Sequence, residues 1–574
     1  MHAITLLQTL LSFPLLLALC TAVHEIDYAP RTVRYNITLA TGVWNADCTE
    51  KYGLLINGAS PGPAIQVTLG DLVVVQVVND HTKDITLHFH GITQHGTPSA
   101  DGVPGVSQIA IPPGATYEYR WRAQNSGTHF YHAHTRLDAS SVYGALIVHD
   151  PHETLEYDEE RLLLLNDYWH KEEDKLYDGL MSKPMRWIDP PHSILINGKA
   201  RDPRQMYGND NTSSTSLTVD CEYNIIPVDQ GKTYRLRIIN AAGWAYLSLD
   251  ITGHTMVMVE ADGYHTKPFT TDHLEIAPGQ RYSVLLTTDQ DINSYWIRAN
   301  PIWTSGRDVP TGSALLTYRG ITRTTTLLIP PGNTSLPRKP DWILPEVHAA
   351  SNSPGMPEKA DATLTLTISP IFSNHVIQRH AVNNISYMDT SSPSGKSLLD
   401  RAYESLLLEG SKDPSIFLAS VVPSLSIYPK GTVVDVVIQL DGKSCLDPHP
   451  WHLHGHSYWD LGQGSGLYTE AEGEKVIPIS PLYRDTSMVF PQEDTRGANG
   501  CGWRRIRVKL DNPGIWPIHC HIHAHMIMGM MWLIGVGLDE LPPRTPLVQG
   551  GWVGSQTSDN IITRGSSDHH HHRP

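Results

Sequence analysis

The chain reads as an all-β protein of three β-sandwiches in series, and three observations predict this. Runs rich in Val, Ile and Tyr alternate with clusters of Gly, Pro, Asn and Asp along most of its length, while stretches with helical spacing are scarce. A glycine-opened strand recurs three times, as Gly70-Asp-Leu-Val-Val-Val-Gln-Val-Val-Asn79, Gly231-Lys-Thr-Tyr-Arg-Leu-Arg-Ile-Ile-Asn240 and Gly431-Thr-Val-Val-Asp-Val-Val-Ile-Gln439. A second pattern, Pro113-Gly114-Ala-Thr-Tyr-Glu-Tyr, returns as Pro278-Gly279-Gln-Arg-Tyr-Ser-Val. A repeated supersecondary pattern at this period points to three related sandwiches.

The elements follow in order. Residues 1–22 read as a secretory signal, with an apolar stretch from Ile4 to Leu19 and the small residues Thr21-Ala22 at its end. It is shorter than the roughly 20 apolar residues a spanning helix needs. No later stretch is that long without charge, so the mature protein is expected to be secreted, with no stable membrane insertion. The first domain is expected over 23–150 and the second over 151–330. A proline-rich linker over 331–357 precedes the third domain, 358–545, and a tail, 546–574, ends in the tag-like run His569 to His572.

Four Asn-x-Ser/Thr sites, Asn36, Asn211, Asn333 and Asn384, could carry glycans in a eukaryotic secretory pathway. Beyond the signal, five cysteines remain, an odd number for an oxidising compartment. Pairing Cys48 with Cys221 would staple the first two domains, and Cys445 with Cys501 would close a loop in the third. Four cysteines admit three connectivities, and this one leaves Cys520 free.

Composition narrows the function classes. A length of 574 residues with 40% hydrophobic residues supports several cores, and a net charge of −16 opposes nucleic acid as a partner. Of the 31 histidines, many concentrate in four motifs: His88-Phe-His90-Gly91, His132-Ala-His134, His449-Pro-Trp-His452-Leu-His454-Gly455 and His519-Cys520-His521-Ile-His523-Ala-His525. Two motifs lie in the first unit and two in the third. In the second, Tyr295-Trp296-Ile297-Arg298-Ala299 occupies the matching place without a histidine, as in a spacer domain.

Strand side chains alternate faces, so each His-x-His pair puts two imidazoles on one face. Four pairs supply eight neutral nitrogen ligands, suited to a cluster of several metal ions between domains one and three. The same parity sends Cys520 to the face opposite His519 and His521, so one strand would feed two metal sites. His449, with opposite parity to His452, His525 beyond the strand and Met530 would complete two imidazoles, a thiolate and a weak thioether, the ligand set of blue copper. A lone pair of this kind is more often incidental or a zinc site, and structural zinc would want more thiolates than one spare cysteine offers.

In these motifs the chain resembles the blue multicopper oxidases, the family of laccases, ascorbate oxidases, bilirubin oxidases and ferroxidases. The resemblance spans nearly the whole mature chain and implies three cupredoxin-like, Greek-key domains. It implies four copper ions: type 1 on His449, Cys520 and His525 with Met530 axial, type 2 on His88 and His452, and the type 3 pair on His90, His132, His134, His454, His519 and His521. It also implies one-electron oxidations at the blue copper, transfer through Cys520 to His519 and His521, and reduction of dioxygen to two waters. Asp101, in Ala100-Asp101-Gly102, matches an acid that relatives place beside the cluster to manage protons, although Asp-Gly is also an ordinary turn.

Two positions depart from many relatives. His523 stands where a carboxylate is common, and is expected either to substitute for it or to face solvent. Ala524 replaces a bulky aromatic and is expected to open the floor near the blue copper. The motifs are closest to ascorbate oxidases and fungal laccase-like enzymes, and an axial Met530 implies a moderate potential. The expected partners are therefore dioxygen and an easily oxidised phenol or ascorbate-class donor. The alternatives are ascorbate oxidase proper, bilirubin oxidase, ferroxidase and a non-enzymatic copper-binding protein. Trp451 either lines the donor pocket or packs against the next sheet.

Overall fold

A computed structural model describes residues 28–201, 223–304, 309–321, 346–373, 376–388, 395–407, 414–491 and 501–544. The signal segment, the tail, Cys221, Asn211, Asn333 and most of the expected linker lie outside the described residues.

Three pairs of sheets stack along the chain. The first pair has two four-stranded sheets, and the second and third pairs each combine a six-stranded with a five-stranded sheet. The three glycine-opened repeats become the strands Leu72–Asp80, Thr233–Asn240 and Thr432–Leu440. Each occupies the same structural place. It pairs in parallel with an early strand of its unit, Thr32–Asn45, Glu159–Tyr168 or Ala362–Ser373. On its other edge it pairs antiparallel with Thr116–Arg122, Arg281–Thr287 or Gly502–Leu510.

Alternation explains the burial. Val73, Val75 and Val77, then Leu236 and Ile238, then Val434, Val436 and Ile438 sit on the inward face of their strands, each set in the core of its own sandwich. Each such aliphatic side chain contributes roughly 1.5–3 kcal/mol by leaving water. The facing sheets carry the histidine strands: Leu87–His90 pairs with Gly127–Ala133, and His449–Leu453 with Gly514–Cys520. Their counterparts in the middle unit are Tyr246–Ile251 and Ser294–Ile302, which pair in the same antiparallel way without a histidine.

Two helices, Leu398–Leu407 and Pro414–Val421, stand out against the strand-rich pattern and cover Leu425, Leu533 and Met531 in a small separate core. Cys445 and Cys501 form the expected disulfide. Cys48 is also disulfide-bonded, while its expected partner lies outside the described residues. Cys520 is the free cysteine among the described residues and is buried. Asn36 and Asn384 are exposed. No helix among the described residues is long and apolar enough to cross a membrane.

Candidate metal centre

Strand register builds the histidine cluster. Antiparallel pairing sets His88 opposite His132 and His452 opposite His519. All eight paired histidines are buried. The rings of His90 and His452 stack with centroids 3.7 Å apart, and those of His88 and His454 lie 3.9 Å apart, so the two outer domains meet imidazole to imidazole.

The inward nitrogens point at one another. His454 Nε2 is 3.0 Å from His519 Nε2, and His521 Nε2 is 3.2 Å from His90 Nδ1. The Nε2 atoms of His88, His132, His134 and His452 are buried with no hydrogen-bond partner. Burial, reinforced by neighbouring imidazoles, holds His132, His134, His454, His519 and His521 well below the usual histidine range. Neutral rings with lone pairs converging in a buried space are what a cluster of copper ions requires and what an apolar core cannot otherwise satisfy.

The outer nitrogens are anchored, which orients the rings. His132 Nδ1 faces the Ala133 carbonyl at 2.8 Å and His519 Nδ1 the Cys520 carbonyl at 3.0 Å. Asp101 serves two rings: its carbonyl lies 2.7 Å from His88 Nδ1 and its carboxylate 2.9 Å from His454 Nδ1. Asp485 mirrors it. Its carbonyl lies 3.0 Å from His452 Nδ1 and its carboxylate 3.3 Å from His90 Nε2. Sequence reasoning missed Asp485, which sits in Arg484-Asp485-Thr486 with no motif around it; its only signal is this equivalence to Asp101.

A second site lies on the other face of the Gly514–Cys520 strand. Cys520 Sγ is 3.7 Å from His449 Nδ1 and 3.7 Å from His525 Nδ1, and the two nitrogens are 3.1 Å apart. His525 comes from the short helix His523–Ile527, past the strand end as its spacing requires. Burial pushes the Cys520 thiol up, so this site needs a cation to hold the thiolate. Met530 is fully buried in the same core as Cys520. Its carbonyl accepts from Cys520 N at 3.1 Å and its N–H donates to the His525 carbonyl at 3.0 Å.

Three open expectations resolve. His523 does not face solvent: it is buried, burial lowers it to about 4, and its ring stacks 6.0 Å from that of His132. Ala524 opens no floor, because it is enclosed with Leu137, Trp169, Leu176, Leu180, Ile188 and Met528 in a closed apolar cluster. Trp451 packs in the core of the third sandwich with Cys520 and Trp516.

The donor-side opening lies elsewhere. A cavity of about 540 Å³, part of it open to solvent, reaches His525 and is walled by Trp187, Trp244, Trp303, Tyr246 and Asp447. The Trp187 ring lies 5.5 Å from that of His525. These tryptophans come from the middle unit and carry no spacing that marks them in the sequence. Trp244 is held there because the buried Asp167 carboxylate accepts the backbone N–H groups of Gly243, Trp244 and Ala245 at 2.7–3.0 Å.

Comparison with known proteins agrees with this geometry. Residues 38–153, 159–321 and 420–537 each match a multicopper oxidase family domain. The chain is 35% identical to an L-ascorbate oxidase of Cucumis sativus, over 91% of this chain and 92% of that one. It is 30% identical to laccase-like multicopper oxidase 1 of Thermothelomyces thermophilus, over 90% and 88%. In fold it is similar to the crystal structure of the laccase from Botrytis aclada, with a TM-score of 0.73 at 24% identity, covering 90% of each chain. The chain belongs to the multicopper oxidases, enzymes that hold type 1, type 2 and type 3 copper and use dioxygen as acceptor.

Proposed function

We propose that the protein is a secreted laccase-like oxidase of uncharged phenols, with electrons entering at His525 and leaving to dioxygen at the histidine cluster. In this reading His449, Cys520 and His525, with Met530 beside them, would hold type 1 copper. His88 and His452 hold type 2, and His90, His132, His134, His454, His519 and His521 hold the type 3 pair. Copper bound in these places supplies the one-electron acceptor and the four-electron reduction of dioxygen to water.

The chain's own residues do the rest. Cys520 joins His519 and His521 through single peptide links, and the Cys520 carbonyl also meets His519 Nδ1 at 3.0 Å, a second short route between the two sites. Asp101 orients His88 and His454, and is the carboxylate placed to hand protons toward dioxygen as it is reduced. The apolar stretch Ile4 to Leu19 and the Cys445–Cys501 disulfide support export to an oxidising compartment.

One observation carries the donor class. The described walls of the His525 cavity are aromatic and apolar with one carboxylate, Asp447, and contribute no lysine or arginine. Flat aromatic rings stack well there, whereas the described walls offer the ascorbate anion no lysine or arginine. The second reading, ascorbate oxidase, is favoured by the 35% identity to the Cucumis sativus enzyme. Dioxygen uptake by the copper-loaded protein, with a methoxyphenol and with ascorbate at matched concentration, decides between them. Faster uptake with the phenol is expected; faster uptake with ascorbate establishes the second reading, and no uptake with either overturns both.

A further inference from the structure

The middle domain, which carries no His-x-His pair, reaches the back of the histidine cluster with Arg281. Arg281 opens the strand Arg281–Thr287, at the same place in the fold as the strand Thr116–Arg122 of the first domain. It is fully buried. Its guanidinium donates twice to Asp485, Nη1 to Oδ1 at 2.6 Å and Nη2 to Oδ2 at 2.7 Å. Further bonds fix its own direction: Nε donates to the Thr128 carbonyl at 3.1 Å, Nη1 to the Gly279 carbonyl at 3.1 Å, and its backbone N–H to Asp262 at 2.8 Å.

We propose that Arg281 is a positioning residue of the trinuclear centre, locking Asp485 so that its carboxylate sets the ring orientation of His90 from the first domain while its carbonyl sets that of His452 from the third. This rests on the reading of those two histidines as copper ligands. Both contacts with Asp485 use the ring nitrogen turned away from the cluster: His90 Nε2, while Nδ1 faces His521, and His452 Nδ1, while Nε2 is the unpartnered inward atom. A carboxylate behind a ligand histidine selects its tautomer, and a bidentate arginine removes the rotational freedom of that carboxylate.

The sequence around the ligands leaves room for the arginine. Gly91, which closes the first His-x-His pair, has φ +89°, and a Cβ there would collide with His129 Nδ1 and stand 2.5 Å from Arg281 Nη2. The glycine of the motif therefore admits a side chain from another domain to the back of the cluster.

The test removes copper from the fully loaded protein by dialysis against graded chelator, reading copper per chain, the type 2 paramagnetic resonance spectrum and the blue absorption. Arg281→Gln is expected to lose trinuclear copper at about 10–100-fold lower chelator than the parent and to shift the type 2 spectrum, with the blue absorption retained. Asp485→Asn should do the same, and the double variant should be no worse than Asp485→Asn, because the arginine acts through that carboxylate. Arg298→Gln, which breaks the Arg298 to Asp250 pair in the same domain, should keep parental copper.

Parental retention and spectrum in Arg281→Gln, or additive losses in the double variant, overturn the proposal. If Arg281→Gln does not fold, Asp485→Asn decides alone: parental retention there overturns it equally. A parent that binds no type 2 copper overturns the ligand reading first, and the arginine's role with it.

Discussion

Two aspartates stand behind the histidine cluster in equivalent places, and their surroundings differ. Asp101 and Asp485 each present a carbonyl to the first histidine of one pair and a carboxylate to the last histidine of the other, so each ties domain one to domain three. Asp485 is clamped by a bidentate arginine from domain two, and burial, which alone would raise its carboxyl, is outweighed by Arg281 and the two histidines, leaving it well below the usual range. Asp101 has no cationic side chain other than histidine beside it among the described residues, and its Oδ1 makes no hydrogen bond. The same hydrogen-bond pattern therefore carries an arginine-clamped carboxylate on one side and, on the other, one that only histidines approach among the described charged side chains. In the proposed reading the clamped carboxylate orients rings and Asp101 hands on protons.

The widest separation of the two roles is expected from Asp101→Asn. Turnover with dioxygen should fall about 10²-fold, the scale of a lost proton-transfer group, while anaerobic bleaching of the blue colour by donor stays at the parental rate. Stopped-flow measurement of both half-reactions checks this, and equal slowing of the two would erase the contrast. Asp485→Asn should show the reverse emphasis, with a smaller loss of turnover, about 10-fold, and a larger loss of copper retention.

A smaller effect is expected from Gly279→Ala, in the turn that domain two lays on the cluster. Its φ is +87°, and a Cβ would stand 2.9 Å from His521 and 3.1 Å from His90. Backbone strain of about 1–2 kcal/mol and a displaced ring should lower the melting temperature and perturb the type 3 pair without touching the blue absorption.

The smallest effect belongs to the interface that carries the arginine. Burial alone would raise Glu260, but Arg235 and Arg237 hold it below its usual 4.5. A depressed carboxyl stabilises the fold fully above its unfolded value, and that contribution is lost as pH falls below about 4.5 toward the folded one. The melting temperature should drop by about 2–4 °C per kcal/mol lost in that window, and Glu260→Gln should flatten the slope.

Local pattern made much of this molecule readable in advance. The three glycine-opened strands, the parity that puts His88 with His90 and His452 with His454 on common faces, and the opposite parity of Cys520 all survive into the structure, because strand alternation is a property of the backbone and needs no tertiary knowledge. Asp101 was visible as a short motif close in sequence to its partner His88. Asp485 was not, since it lies 33 residues from His452 and 395 from His90, and no spacing rule connects them.

The sequence by itself determined the fold class, the pairing of imidazoles and the separation of the cysteine from the cluster. Only the tertiary structure decided what stands behind the paired histidines and in front of His525. Arg281 acts on histidines from two other domains, Trp187 and Trp244 reach His525 from the middle unit, and Ala524 is sealed by side chains such as Trp169 and Leu176 that arrive from far along the chain. The reason is physical: a ligand pair is set by the geometry of one strand, while the direction of a ligand ring and the shape of a pocket are set by whichever surfaces the packed domains bring against it.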